Sequence, residues 1–319
     1  MKIIILIALL FVPVLASADS LQISGFGTIG LIQSKSDLYG YRNDIHQEKG
    51  AFKGDLDWHS TSVVGTQFDY SIDEHYDWVY QAILRDSADV SLNSISSLAF
   101  LRYAPSADWS LRIGRTPLDL FLLTEFRDVG LAYTWAHAPS EIYGLVPYRF
   151  LDGADVTYNS QILDAQIRTK VFTGQTDSKV ATFEVSQDVA LTDVIGLSIN
   201  AESFNWSLRA SLTQVNISDD SPLSKQLNDG LFGLSLAVPG FDTIWPNAAQ
   251  FSQDLSVKNA KAQYLSIGGR YDFYPFSVIA EISRTDSNRI VIPHLIGAYA
   301  SFVYTFSEHQ FYTSYASTE

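Results

Sequence analysis

The chain has 319 residues, a formal net charge of −14 at neutral pH and no cysteine. The excess of acidic side chains argues against nucleic acid as a partner, because a nucleic-acid-binding surface needs clustered basic residues. The absence of cysteine excludes a disulfide framework, thiolate chemistry and cysteine-ligated metal sites.

The first eighteen residues have the features of a cleavable secretion signal. Met1 and Lys2 precede an apolar run over residues 3–15, and residues 16–18 read Ala-Ser-Ala, a small-x-small cleavage site. The run is too short to cross a bilayer as a helix, which takes about 20 apolar residues. We therefore expect residues 1–18 to be removed and the mature, exported chain to begin at Asp19.

Thirteen segments in which apolar and polar side chains alternate follow the signal. Alternation with a period of two predicts β-strands with one apolar and one polar face. The predicted strands are residues 21–33, 60–70, 76–85, 96–103, 108–115, 152–158, 163–172, 194–201, 205–215, 263–273, 275–284, 295–306 and 310–316. Short and long links join them in turn, so the short turns share one end of the sheet. A helix is expected within residues 222–238, before Pro239 and Gly240.

This pattern is typical of an all-β, transmembrane antiparallel barrel of the bacterial outer membrane, whose strands have lipid on one side and water on the other. Aromatic residues flank the short turns, as expected for side chains at a membrane interface. The pairs are Tyr70 and Trp78, Tyr103 and Trp109, Phe204 and Trp206, Phe273 and Phe276, and Phe306 and Phe311. The alternative is a secreted, soluble β-sandwich or lectin-like binding protein, whose apolar strand faces would need a partner sheet.

The segment 116–150 between the fifth and sixth predicted strands is too long for an ordinary connection in a compact sheet. Much of it is apolar or aromatic, including Leu118, Phe121 and Trp135, so it needs a surface on which to be buried. In a barrel that surface is the inner wall. We therefore expect this loop to fold inward and narrow a channel.

Motifs in this region resemble the constriction-loop region of porin-like proteins of Gram-negative bacteria. They are RIGRTP at 112–117, DVGLAYTW at 128–135, EIY at 141–143 and DG at 152–153, and SIGGRY at 266–271 and VIAE at 278–281 resemble later strands of the same family. The resemblance covers most of the mature chain. It implies a sixteen-stranded, typically trimeric barrel whose third long loop folds inward. Such a barrel is an outer-membrane channel for small hydrophilic solutes and ions, surrounded by lipid and lipopolysaccharide.

Basic side chains on the polar strand faces predict a positively charged pore wall, and opposed charges across a constriction would order water and polar solutes. The predicted pore-lining residues are Arg102, Arg112, Arg115, Arg168, Lys170, Arg209 and Arg270, and the charged constriction-loop residues are Asp119, Glu125, Arg127, Asp128 and Glu141. Any single one of them could instead be an ordinary solvated side chain. Arg115 and Arg149 bracket the loop and could instead hold its ends through Asp119 or Asp152. Since the net charge is strongly negative, much of the excess acid is expected in loops, at Asp37, Asp44, Glu48, Asp219, Asp220 and Asp229.

No catalytic or metal-binding pattern is found, so the sequence predicts a protein that is not an enzyme and has no cofactor. The histidines are His46, His59, His75, His137, His294 and His309, and most fall in predicted loops or turns. None has a nucleophile at a suitable spacing on the same strand face, and no His-x-x-x-His pair occurs. We therefore expect them to be polar surface residues.

The strand count is odd, whereas single-chain bacterial barrels have an even number. We therefore expect the barrel domain over residues 19–319 to be truncated relative to its family, by roughly 60 to 80 residues at about 20 residues per strand and link. The alternative is a miscounted strand within residues 231–238 and a closed barrel of fourteen strands.

Overall fold

The computed structural model describes residues 20–144, 146–182, 185–218, 222–289, 292 and 294–319. The expected signal peptide lies outside these residues, as do Asp219 and Asp220. The strands form one antiparallel sheet in which each strand pairs with its neighbours in sequence, in the order β1 to β13. This confirms the predicted all-β antiparallel fold. The described strands make a single sheet, not the two face-to-face sheets of a sandwich.

The observed strands correspond one to one with the predicted ones. They are β1 (Leu21–Thr28), β2 (Val63–Ser71), β3 (Tyr76–Arg85), β4 (Ser96–Tyr103), β5 (Trp109–Pro117), β6 (Phe150–Ile162), β7 (Ala165–Thr182), β8 (Val185–Glu202), β9 (Trp206–Ile217), β10 (Ala260–Phe273), β11 (Phe276–Ser287), β12 (Leu295–Phe306) and β13 (His309–Thr318). The helices are α1 (Leu92–Ile95), α2 (Ser140–Tyr143), α3 (Pro222–Ala237), α4 (Phe241–Ile244) and α5 (Ala248–Leu255), with a 3₁₀ turn at Gly130–Ala132. The predicted helix is therefore confirmed as α3. In the described part of the chain, no helix combines the length and apolar character that a membrane span requires.

Several strand boundaries differ from the predicted ones, among them the end of β6 and the end of β1. The turn expected at Asn159 and Ser160 lies instead at Leu163 and Asp164, because β6 continues to Ile162, which pairs with Ala165. Leu163 takes up a left-handed backbone conformation, φ 57°, that a bulky residue seldom adopts. The sequence therefore gives no indication of a turn at this position. The first strand also ends earlier than predicted, at Thr28 instead of residue 33.

The burial of the two faces of the sheet is the reverse of that in a soluble protein, in which the apolar face is buried and the polar face is exposed. One row of register partners across β7, β8, β9 and β10 is apolar and between 39% and 51% exposed: Val171, Leu197, Leu212 and Leu265. The adjacent row, one residue along each strand, is polar and at most 4% exposed: Lys170, Ser198, Ser211 and Ser266. The apolar face of these strands is thus open, and the polar face is covered.

The segment between β5 and β6 covers the polar face and shows that the sheet is curved. Asp128 pairs with Arg85 on β3, and the Ala136 amide donates a hydrogen bond to Tyr312 on β13. In a flat sheet, β3 and β13 would be about 48 Å apart at about 4.8 Å per strand. Eight residues span at most about 28 Å even when fully extended. The sheet therefore wraps around this segment, which lies on its concave side.

Glycines permit close strand approach where the long segment begins. Gly114, Gly153 and Gly174 are register partners on β5, β6 and β7. Gly114 has a φ of +125°, and a Cβ at any of the three positions would collide with a backbone carbonyl of a neighbouring strand. Glycine at these positions allows a strongly bent sheet.

Aromatic side chains cluster at the end of the sheet that carries the short turns. Tyr76 and Tyr103 stack with ring centroids 4.8 Å apart, and Trp109 and Tyr158 lie 4.6 Å apart across β5 and β6. Phe276, after the turn between β10 and β11, contacts aromatic rings on both neighbouring strands. These rings form a partly exposed border beside the turns.

Candidate functional site

The candidate site is the concave face of the sheet together with the segment 118–149, here called the inner loop. Apolar side chains of the inner loop form the main buried cluster of the molecule, with Leu118, Phe121, Trp135 and Ile142 each at most 5% exposed. The polar face of the sheet meets the loop backbone through hydroxyl groups. Ser266 donates a hydrogen bond to the Leu120 carbonyl at 2.9 Å, and Ser211 donates to the same oxygen.

Asp119 is the most buried charge of the inner loop, with no exposed surface. It accepts a hydrogen bond from Ser198 at 2.6 Å and pairs with Lys170 at 3.2 Å and with Arg209. Burial alone would raise the pKa of this carboxyl, but Lys170 and then Arg209 outweigh that effect and hold its pKa well below the usual range. Two of the predicted wall cations are therefore brought together with a predicted loop acid.

Glu125 lies next to this cluster and links Lys170 to two more of the predicted residues, Arg112 and Arg168. Its carboxylate accepts a hydrogen bond from Lys170 at 2.6 Å and lies 3.9 Å from Arg112 and 3.8 Å from Arg168. Arg112 is held more firmly by Asp155 on the neighbouring strand, with N–O distances of 2.9 to 3.0 Å. Sequence reasoning missed Asp155, although its place opposite Arg112 on the polar face of β6 was a usable signal.

Arg168 is the most exposed of the predicted wall cations that meet the inner loop. Its side chain is 53% exposed, against 4% for Lys170 and 6% for Arg209. It borders a cavity of about 660 Å³ at the short-turn end of the concave face, together with Glu125, Arg209 and Glu202. The inner loop thus neutralises the deeper cations and leaves Arg168 facing open space.

The remaining predicted wall residues do not contact the inner loop in the described part of the chain. Arg102 pairs with Asp77 at 2.8 Å and Arg270 with Asp272 at 2.8 Å, both on exposed surfaces. Arg115 makes two hydrogen bonds of 2.7 Å to Asp152, and its guanidinium lies 3.7 Å from the centroid of the Phe150 ring. Arg115 therefore joins β5 to β6 where the inner loop leaves and re-enters the sheet.

A second charged cluster joins the inner loop to the segment 29–62, which follows β1. Arg149 pairs with Asp44 and Asp128, rather than with Asp119 or Asp152. Arg127 donates to the Tyr143 carbonyl at 2.7 Å and lies 3.4 Å from Asp44. Burial and then the neighbouring Arg149 lower the pKa of Arg127 to about 10, so it stays charged at neutral pH. Asp44 lies in a long loop, as expected, but it is only 9% exposed, because it meets these two arginines.

Further residues of the site were predicted differently or not at all. Glu141 is half-buried, and Ser140 is its side-chain hydrogen-bond partner at 3.5 Å. Glu281 on β11 accepts hydrogen bonds from the Leu122 amide at 2.8 Å and from the Tyr143 hydroxyl. It belongs to the VIAE motif at 278–281 but was not predicted as a site residue. His46 was expected at the surface, but it is 7% exposed, because it lies between Asp44 and Ser178.

Comparison with known proteins gives no match to a protein family model or to a curated protein. Among solved structures, the outer membrane channel DcaP of Acinetobacter baumannii is 15% identical, with 95% of this chain and 92% of that chain covered and a TM-score of 0.39. OmpT of Vibrio cholerae is 11% identical, with 95% and 89% covered and a TM-score of 0.40. Salmonella typhi OmpF, in complex with daunomycin, is 14% identical, with 93% and 89% covered and a TM-score of 0.40. At this level of similarity, the function has to be argued from the chain's own residues.

Proposed function

We propose that the protein is an outer-membrane porin, a water-filled channel for passive diffusion of small hydrophilic solutes and ions in a Gram-negative bacterium. The observation that carries this proposal is the reversed burial of the sheet, with leucine and valine exposed on one face and lysine and serine covered on the other. An exposed apolar face is stable only against a partner or a lipid phase. The aromatic border beside the short turns is what a lipid interface would favour.

In this proposal the inner loop, within residues 116–150, constricts the channel against the basic wall. Its support is the set of contacts from Asp119 and Glu125 to Lys170 and Arg209. A loop held by buried ion pairs and an apolar cluster keeps one position, so it can set the size of a passage. The exposed Arg168 beside the 660 Å³ cavity would then act on ions that pass.

Single-channel recording tests the proposal directly. We expect the purified full chain, inserted into planar bilayers of defined lipid, to produce discrete ohmic conductance steps. A sample heated to unfold it before insertion is the control and should give none. Protease protection in vesicles of the same lipid shows whether the chain is correctly inserted. A chain that is inserted by this measure but does not conduct would contradict the channel function.

The trimeric state and the secretion signal belong to the same proposal. We expect cross-linking of the protein in outer-membrane fractions to give a species of three copies. Sequencing of the mature amino terminus should start at Asp19. A monomer that stays soluble in the periplasm would contradict both membrane insertion and trimer assembly.

A further inference from the structure

Asp44, His46 and Ser178 contact one another in this order, away from the ion pairs of Asp119 and Glu125. The His46 Nδ1 atom contacts an oxygen of Asp44, and its Nε2 atom lies 2.7 Å from the Ser178 hydroxyl. Asp44 and His46 belong to the segment after β1, whereas Ser178 lies on β7, 132 residues from His46 along the chain. A carboxylate, an imidazole and a hydroxyl in this order are the arrangement that activates a serine for attack on a carbonyl.

The protonation states follow from the partners. Asp44 stays ionised, because its pairing with Arg149 outweighs the effect of burial and lowers its pKa. Burial lowers the pKa of His46, so the ring is neutral at neutral pH. A neutral ring beside an ionised carboxylate carries its proton on Nδ1, which leaves Nε2 as an acceptor. His46 Nε2 can therefore accept the Ser178 proton, in competition with the Pro147 carbonyl, to which the same hydroxyl donates a hydrogen bond of 3.1 Å.

A small cavity opens beside these three residues. His46 and Ser178 both line a space of about 90 Å³ near the loop end of the sheet, and Ile83 and Phe150 contribute apolar walls. A cavity of about 150 Å³ holds a benzene molecule, so this one has room for an acyl group of only a few carbon atoms. Ser178 is half-buried, which leaves its hydroxyl accessible from the cavity.

The lining of the same cavity carries charges of both signs. The cations are Arg85, Arg149 and Lys179, and the acids are Asp89, Asp177 and Asp188. The Arg149 side chain is 90% buried, and its Nε atom has no hydrogen-bond acceptor within the described residues. The Nε atom has almost no accessible surface, so the charge of the Arg85 and Arg149 guanidinium groups, rather than a hydrogen bond from Nε, would stabilise a carbonyl oxygen that becomes an oxyanion.

We propose that Ser178, His46 and Asp44 form a hydrolytic site for esters of short-chain carboxylic acids. The Ser178 oxygen bonds to the ester carbonyl carbon while its proton moves to His46 Nε2. The bond to the leaving alcohol breaks, and the alcohol takes that proton. A water molecule then attacks the acyl carbon, gives a proton to His46 and releases the acid, and the proton returns to Ser178. Ester and water are converted to acid and alcohol, with no other reactant.

The test uses the full-length protein purified in detergent and p-nitrophenyl esters of acetate, butyrate and octanoate. We expect hydrolysis of acetate and butyrate that falls at least about 100-fold in S178A and in H46Q. Ser87 lines the same cavity without a contact to His46, so S87A is the matched control and should stay within about twofold of the parent protein. Octanoate should react at least about tenfold more slowly than butyrate, because its chain exceeds the cavity.

A second measurement uses the unaltered protein, so that it remains informative if the variants fail to fold. A fluorophosphonate probe should modify Ser178 in the unaltered protein, as identified by mass spectrometry of its peptides, and prior denaturation should abolish the modification. Absence of an adduct at Ser178 in folded protein would overturn the proposal. So would equal modification of Ser178 in the parent and in folded H46Q, because the histidine would then have no activating role. Neither result depends on whether the protein conducts ions.

Discussion

Charged side chains inside this molecule occur in groups that compensate each other. Asp119 meets Lys170 and Arg209, and Asp44 meets Arg127 and Arg149. A buried pair contributes little compared with apolar packing, but loss of one member leaves the other charge buried without compensation. The individual residues of the inner loop are therefore more sensitive to substitution than surface ion pairs of similar geometry.

Replacement of Asp119 by asparagine keeps the volume and removes the charge. We expect D119N to lower the free energy of unfolding by about 3 to 5 kcal/mol, because Arg209 and Lys170 then lose a buried counter-ion. Urea titration of the protein in detergent measures this change. D272N is the matched control, since Asp272 pairs with Arg270 on an exposed surface, and its cost should stay below about 1 kcal/mol. Equal effects of the two substitutions would contradict the buried role of Asp119.

Arg168 should influence which ions pass if the cavity beside it belongs to a channel. We expect R168E to shift the reversal potential in a salt gradient toward cation selectivity, because an exposed positive charge at the passage becomes negative. The control is R284E, at a position that is also 53% exposed and whose partner is Asp286. Arg284 does not line the cavity next to Arg168. An unchanged reversal potential in R168E would place the ion path elsewhere.

At the scale of elements, the alternation of apolar and polar residues predicts the part of a strand that has an apolar face better than it predicts the polar ends. The bounds of β3, β4 and β12 agree with the predicted ones. β7 and β8 continue to 18 residues each, and their extensions carry polar residues on both faces, so the period of two is lost. Hydrogen bonding to a neighbouring strand extends them, and a single sequence does not contain that information.

The inner loop was predicted as an inward element from its composition, but its contacts were not. Its apolar content shows that it needs a surface. Which strand supplies that surface depends on curvature, which brings Ser301 and Glu281 to the loop from more than 150 residues away. For the same reason, the burial of Asp44 and His46 was not predicted, since nothing near them in sequence indicates their partners.

Packing of the inner loop can be tested with two substitutions in the same element. Phe121 is 4% exposed and Leu131 is 89% exposed. We expect F121A to cost about 3 to 5 kcal/mol and to make the loop sensitive to limited proteolysis, because a buried aromatic side chain is lost. L131A should have almost no effect on either measurement. Protection of the F121A loop equal to that of the parent would show that the apolar cluster does not hold it.

The whole molecule has an exposed apolar face and a covered polar one, so its environment can be read from its tryptophans. Trp109 is 49% exposed beside a short turn, whereas Trp135 is 5% exposed and donates a hydrogen bond to Ser301 at 2.8 Å. In single-tryptophan variants folded into vesicles, we expect brominated lipid to quench Trp109 fluorescence strongly and Trp135 fluorescence weakly. Similar quenching at the two sites, or none at Trp109, would contradict the orientation of the sheet in lipid.

The reach of the inner loop across the sheet has a consequence for the order in which the protein assembles. Asp128 and Ala136 lie eight residues apart and contact β3 and β13, so these contacts exist only once the sheet has curved. Conversely, the curved sheet without the loop would expose the buried polar row on its concave side. We therefore expect loop docking and curvature to be coupled in folding. Substitutions that release the loop should slow the formation of the curved sheet itself.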